Sequence, residues 1–449
     1  MRVHKNIERK EWDKILQRPV LDSSKLERKV EQIIKIVRRK GDKALYKFTR
    51  KFDGVSLHEL IVTKSEISDA EEQLKPALKE AIQQATHNIA AYHSTQVQYP
   101  RIIETMPGVS CWQKMVPIEK VGLYIPGGSA PLFSTVLMLG IPAKIMGCSQ
   151  IVLCTPPGKD GKVHPAILYA AKQAGVKDIY KVGGVQAIAA MAFGTETIPA
   201  VYKIFGPGNQ YVTAAKQTVQ MQGIAIDMPA GPSEVCILAD ESANAAFVAA
   251  DLLSQAEHGA DSQVVLITTS NELVEKTLKE IQKQLATLPR KQIAEKALAN
   301  SKAVVVTSIM DGIDLANEYA AEHLIISCQL AESVAEQIVN AGSVFIGNYS
   351  PESAGDYASG TNHTLPTNAF ARAYSGVSID SFMKKITFQK LSKEGLENIA
   401  DTVIEMAEAE GLRGHANAVR VRTAHLNPPE GRTSHRHEGQ LKQNKMDEQ

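Results

Sequence analysis

Four short stretches of this chain gather residue types able to bind a metal or move a proton. Ser254-Gln-Ala-Glu-His-Gly259 closes an apolar helical pattern made by Phe247, Val248, Leu252 and Leu253. Gln255 falls seven residues after Val248 and three after Leu252, on the apolar stripe, with His258 one turn later on the same side. An inward carbonyl oxygen and imidazole at that spacing form either half of a metal site or a buried pair satisfied by backbone groups. Glu322-His323 leads into an apolar run. Neighbouring strand residues face opposite ways, so both reach one cavity only from its lip or from a turn, where they would serve two separate proton transfers; a charged strand boundary is the other reading. Gly355-Asp-Tyr-Ala-Ser-Gly-Thr-Asn-His363 is dense in turn formers and longer than a plain connection needs, a habit of loops that carry function. Glu410-Gly-Leu-Arg-Gly-His415 supplies a further carboxylate and imidazole, or a helix end stabilised by its histidine.

A scaffold for these stretches is legible around them. From residue 121, short apolar strands at 121–125, 151–154, 179–182 and 201–205 alternate with helical segments at 131–146, 164–174, 186–192 and 209–219, the pattern of a parallel, doubly wound sheet. A second series, at 235–239, 264–268, 303–307, 323–326 and 344–346, repeats the architecture without repeating the sequence. Three Gly-rich turns end strands of the first series: Tyr124-Ile-Pro-Gly-Gly-Ser-Ala-Pro131, Gly183-Gly-Val-Gln186 and Phe205-Gly-Pro-Gly-Asn209. Such turns let the backbone approach a phosphate at a helix N-terminus. None is the GxGxxG fingerprint and no acidic residue stands at the usual ribose-binding spacing, so ordinary turn glycine competes as the explanation for each. Upstream, residues 22–93 read as helix, turn, helix, with Ser68-x-x-Glu71 as a capping box ahead of Leu74, Leu78, Ile82 and Ala85. Downstream of 378, a Lys-rich strand (385–389), an acidic helix (394–410) and a short 419–421 strand are too little for a core of their own, and from about 427 the chain reads as a disordered tail.

At 449 residues, several domains are expected. With 44% hydrophobic and 22% charged residues, the composition is that of a folded globular protein. Lys plus Arg (50) balance Asp plus Glu (49), which leaves no broad positive field for nucleic acid or an acidic membrane. No apolar stretch approaches the ~20 residues of a membrane span, and the charged first ten residues do not read as a signal peptide, so the expected compartment is the cytoplasm. Cys111, Cys148, Cys154, Cys236 and Cys328 lack CxxC spacing and a neighbouring base, which assigns them to packing rather than to disulfides or covalent catalysis.

Taken together, VGLYIPGGSAPLFSTV, FGPGNQYVTAAK, DMPAGPSEVCILAD, LLSQAEHGADSQV, AAEHLII, GDYASGTNHTLPT and GLRGHANAVRVRT resemble, in order and as far as Thr423, the histidinol dehydrogenase family. The resemblance implies oxidation of L-histidinol to L-histidine through the aldehyde, with two NAD reduced and one divalent metal per subunit, usually Zn2+, with Mn2+ or Co2+ also suited to the donor set. It places the metal on Gln255, His258, Asp356 and His415, and makes His323 the base for the alcohol proton and Glu322 the base that activates water on the aldehyde. Ser233, His363 and Glu410 would join the metal ligands and His323 in holding the substrate; Tyr124, Gln186 and Asn209 would contact NAD. It further implies a homodimer in which the C-terminal segment completes the partner's site. The domain plan that follows is an N-terminal helical segment (1–24), a large α/β domain (25–124 with 234–377) and an inserted NAD-binding α/β domain (125–233), both doubly wound and incompletely Rossmann-like, then a dimerisation segment (378–423) and the tail (424–449), which matches no family motif and carries His435-Arg-His437. The same residues taken without the resemblance admit a zinc-dependent hydrolase, or a non-catalytic metal-dependent binder of a small imidazole or amine. NAD-independent activity would mark the first, and turnover surviving loss of Glu322 and His323 the second.

Overall fold

The apolar runs of the second series form strands buried on both faces: every residue of Glu234–Ala239 and Gln263–Thr268 is buried, as a sheet covered by helices on either side requires. The structure is a computed structural model and describes residues 1–5, 7–18, 24–127, 130–229 and 231–426. It divides the chain into two units, Met1–Gln98 with Pro117–Lys384, and Tyr99–Val116 with Lys385–Gln449.

The first unit holds two parallel sheets. One has six strands, in the order Arg2–Lys5, Lys302–Val305, Gln263–Thr268, Glu234–Ala239, His323–Ser327, Ser343–Ile346. The other has five, in the order Asp178–Lys181, Gln150–Thr155, Lys120–Tyr124, Lys203–Phe205, Ala225–Ile226. In the five-stranded sheet, and in the six-stranded sheet once Arg2–Lys5 is set aside as an edge strand, the chain begins in the interior, builds outward on one side, then returns to build on the other. A doubly wound sheet opens a crevice where the order reverses. The reversals fall between Lys120–Tyr124 and Lys203–Phe205, and between Glu234–Ala239 and His323–Ser327.

Three expectations need correction. Residues 1–24 are not a purely helical segment: Arg2–Lys5 pairs as an edge strand with Lys302–Val305, and Trp12, Ile15 and Leu16 pack under the six-stranded sheet with Leu238 and Tyr319. The partition at 124 also misplaces material. Lys120–Tyr124 is the central strand of the five-stranded sheet, and the helices of 24–94 pack on that sheet: Ile34, Val37 and Leu45 cluster with Val152 and Ile188, and Ile82 and Ile89 with Leu123 and Leu137. Sequence order suggested otherwise because the helices precede the sheet that buries them. Finally, Ser68 lies inside the helix Lys64–Glu72, whose capping box is formed by Thr63 and Glu66.

Ile103–Met106, Val109–Pro117 and Met383–Leu391 make a three-stranded sheet, all but the end residues Pro117, Met383 and Lys384 in the second unit, with the rings of Trp112 and Phe388 stacked at 5.5 Å. The helix Lys393–Ala409 follows, and residues 419–421 are helical, within Arg413–Leu426, where a strand was expected. The expected tail begins as the last turn of that helix; residues 427–449, with His435 and His437, lie outside the described residues. Among the described residues no helix is long and apolar enough to cross a membrane.

Gly206, at φ +124°, presses its backbone so close to the Tyr124 carbonyl that a Cβ would collide with that oxygen. Gly206→Ala should therefore cost at least about 2 kcal/mol from strain and overlap. Thermal unfolding checks this, and an unchanged midpoint would contradict the close approach.

Candidate active site

The acid–base residues meet at the amino edge of the six-stranded sheet, at its reversal point. Glu322 occupies the bend just before the strand His323–Ser327, so it and His323 converge although they are adjacent: Glu322 Oε2 lies 3.8 Å from His323 Nδ1. The neighbouring strand supplies the clamp. The Glu234 N–H donates to Glu322 Oε2 at 2.9 Å, and His323 Nδ1–H donates to the Glu234 carbonyl at 3.2 Å, which leaves Nε2 as the working nitrogen. Glu234 is itself held. Its buried carboxylate is gripped in bidentate fashion by Arg18, with Nη2 to Oε2 at 2.9 Å, and accepts the Asn368 N–H at 3.0 Å. Arg18 also donates to the Tyr319 carbonyl at 2.7 Å and lies over the Tyr319 ring at 4.2 Å.

The helix Ala245–Ala256 returns the chain to this same edge and delivers Gln255, which is fully buried, as its position on the apolar stripe predicted. Its amide donates to His258 Nδ1 at 3.2 Å, while its Oε1 is buried without a partner among the described residues. The short helix Glu352–Tyr357 contributes Asp356, with Oδ1 at 3.5 Å from His323 Nε2. His363 donates from Nδ1 to the Asp356 carbonyl at 2.8 Å, and its Nε2 accepts from the Thr135 hydroxyl at 3.1 Å. Ser233 directly precedes the Glu234 strand. Glu410 and His415 belong to the second unit, where both are exposed.

Glu352 was not singled out by sequence. It is 1% exposed, with Oε1 at 3.9 Å from His323 Nδ1 and Oε2 unpartnered. Among the described residues, His323, Glu352 and Asp356 are the His/Cys/Asp/Glu group whose ligand atoms lie within 4.8 Å of one another. Lying four residues before Asp356, on the same helical face, was its only signal.

The electrostatics follow from burial and an excess of carboxylates. Burial pushes Glu322 up to about 7 against the pull of His323. Burial alone would lower His323, but Glu322, Glu352 and Asp356 outweigh it and hold the imidazole up at about 10. Burial raises Glu352, whereas the surrounding imidazoles hold Asp356 below the usual carboxylate range. Desolvation lowers His258, with the Asp356 charge opposing. The unpartnered Gln255 Oε1, the Asp356 carboxylate and His258 fit a divalent cation: mixed N and O donors around an anionic pocket with an acceptor oxygen otherwise unexplained.

A second place lies in the five-stranded sheet. Beyond the carboxyl ends of its strands is a cavity of about 1230 Å³, lined by Tyr124, Gly127, Pro156, Gly184, Gln186 and Asn209 among others. All three Gly-rich turns meet there; Gly128 and Ser129 of the first lie outside the described residues. The Gly184 N–H donates to the Tyr124 hydroxyl at 3.1 Å, and Gln186 is buried with Oε1 unpartnered. Asn209 Oδ1 caps the helix Gln210–Gln220 by accepting the Tyr211 and Val212 N–H groups, which leaves its Nδ2 for other partners. The cavity lining includes none of the acid–base residues. What joins the two places is the helix Phe133–Met146, which starts two residues after the cavity residue Pro131 and carries Thr135 to His363.

The cysteines pack. Cys154 and Cys236 are fully buried, and burial raises the thiols of Cys148, to about 11, and Cys328, to about 12, away from thiolate chemistry.

The arrangement is a doubly wound α/β fold with a cavity at one reversal point and a buried cluster of imidazoles and carboxylates at the other, and comparison with known proteins names its family. A family model described as histidinol dehydrogenase matches residues 16–423. A histidinol dehydrogenase of Bacteroides fragilis (strain YCH46) is 60% identical over 422 residues, 94% of this chain and 99% of that protein. One of Vibrio vulnificus (strain CMCP6) is 50% identical over 428 residues, 95% of this chain and 98% of that protein. The crystal structure of histidinol dehydrogenase from Elizabethkingia anophelis superposes with a TM-score of 0.93 at 55% identity, over 95% of this chain and 99% of that one. The chain belongs to the histidinol dehydrogenase family of oxidoreductases.

Removing the Arg18 guanidinium would leave the Glu234 carboxylate buried and unpaired, so Arg18→Met should destabilise the protein by about 3–5 kcal/mol. Chemical denaturation measures this, and a loss below about 1 kcal/mol would contradict the clamp.

Proposed function

We propose that the protein oxidises L-histidinol to L-histidine through L-histidinaldehyde, with NAD as the electron acceptor. The observation that carries this reading is the convergence of Glu322, His323 and Asp356 in one buried cluster within electrostatic reach of His258, the residue bonded to the Gln255 amide, in a chain of this family.

His323 is oriented for the alcohol. Its Nδ1–H is fixed on the Glu234 carbonyl, so Nε2 takes the hydroxyl proton as the first hydride leaves. Glu322, poised near 7, suits the second step, where it removes a proton from the water that adds to the aldehyde. A divalent cation on Gln255, His258 and Asp356, Zn2+ or alternatively Mn2+ or Co2+, would anchor the amine and imidazole nitrogens of the substrate and offset the carboxylates that keep His323 protonated. His363, bonded to the Asp356 carbonyl, and Ser233, the residue before Glu234, are assigned to substrate binding. Tyr124, Gln186 and Asn209 would hold NAD in the large cavity, where it would supply the hydride acceptor for each step; the cavity's place beyond the carboxyl ends of the strands at a reversal point supports that assignment.

The metal's fourth protein ligand, His415, and the substrate contact Glu410 are assigned to a partner subunit in a homodimer. Both stand exposed on a unit separate from the one that holds the other ligands. A cytoplasmic enzyme fits this reading.

His323→Asn should slow histidinol oxidation by about 10²- to 10⁴-fold while histidinol still binds the metal-loaded protein. Glu322→Gln should impair oxidation of added histidinaldehyde far more than that of the alcohol. Stopped-flow assays of the two half-reactions separate them, and normal aldehyde oxidation by Glu322→Gln would sink the division of labour.

A further inference from the structure

One carboxylate in the wall of the large cavity has an oxygen with no hydrogen-bond partner among the described residues. Asp53 directly follows the helix Asp42–Phe52, and its backbone N–H donates to the Thr49 carbonyl at 2.9 Å. Its side chain lines the cavity within electrostatic reach of Tyr124, and its Oδ2 is buried without a hydrogen-bond partner. The other acids of the lining are occupied: Glu66 pairs with Lys181, Asp69 accepts the Ser65 hydroxyl, and Asp160 accepts the Lys162 N–H. Burial with no cation close by raises Asp53 to about 6. A buried polar group without a partner calls for an explanation, and in a cavity the missing donors come from a ligand.

We propose that Asp53 receives ribose hydroxyls of NAD. This rests on the reading of the cavity as the NAD site. A carboxylate without a counter-cation is matched by paired hydroxyl donors and repels phosphate, so at the adenosine ribose it would also favour NAD over NADP. In doubly wound folds the ribose-binding acid usually follows the second strand of the first βαβ unit. Here that strand, Gln150–Thr155, runs into Pro156-Pro157-Gly158, and the nearest acid beyond it, Asp160, is taken up by its own loop. Asp53 supplies the missing group from a helix some 70 residues before the sheet begins, which is why no spacing rule finds it.

Calorimetric titration of the full-length protein with NAD, ADP-ribose and nicotinamide mononucleotide tests this on Asp53→Asn and Asp53→Ala, with Tyr124→Ala as the reference for the cavity. NAD affinity should fall by about 10- to 100-fold, the loss of hydrogen bonds to a charged group, with the Michaelis constant for NAD rising far more than turnover falls. One of the two fragments should lose affinity in parallel, and which one identifies the ribose. Because Asp53→Asn removes an unpaired buried charge, its melting temperature without NAD should be no lower than that of the unsubstituted protein, while the rise produced by NAD should shrink. Unchanged affinity in both Asp53 variants with a loss in Tyr124→Ala overturns the role of Asp53 alone. A lower melting temperature without NAD makes Asp53 structural and overturns it as well. Absence of NAD binding to the unsubstituted protein removes the cavity reading and the inference with it.

Discussion

The candidate active site hangs on the backbone of a single residue. Glu234 opens its strand at the sheet's amino edge, and the N–H and carbonyl that it presents there hold the Glu322 carboxylate and the His323 imidazole. Neither side chain could be fixed by its own strand, since adjacent residues diverge once the pleat begins. The clamp works only if Glu234 does not move, and its own carboxylate is locked by Arg18 and by the Asn368 N–H. Segments around residues 18, 234, 319–323 and 368 must therefore be in place together before the acid–base pair has a defined geometry.

That construction concentrates negative charge. Glu322, Glu352 and Asp356 surround one imidazole in a pocket largely closed to water, and the consequences are a raised Glu322 and a protonated His323. A pocket in this state is complementary to a cation and to an ammonium group, because either restores the balance that burial disturbs. The large cavity and the cluster around His323 lie at opposite ends of their sheets. The three Gly-rich turns gather at the carboxyl ends of the five-stranded sheet, whereas the helix Ala245–Ala256 carries Gln255 back to the amino end of the six-stranded one. The Thr135 to His363 hydrogen bond ties the two.

Much of this was legible in the sequence, for local reasons. Strand and helix alternate with the right periods from residue 121 to 346, so both sheets could be anticipated, and the place of Gln255 on an apolar stripe put its amide inside. The failures are long-range. Arg2–Lys5 is four residues with no strand pattern of its own, completed by a partner three hundred residues later. The helices of 24–94 are amphipathic, but an apolar stripe does not say which sheet will cover it. Val419 and Val421 suggested a strand, although the alanines and arginines around them carry the helix Arg413–Leu426. Arg18, Asp53, Glu234 and Glu352 are single polar residues in unremarkable surroundings, and only the fold shows that each is buried or placed in a cavity wall.

The most direct test follows NADH formed from limiting L-histidinol in excess NAD by the purified protein, before and after chelation. Two NADH per histidinol, lost on removal of the metal and restored by a divalent cation, are expected. One NADH per histidinol, or turnover indifferent to chelation, would contradict a pocket in which Glu322 and His323 act in succession on a metal-anchored substrate.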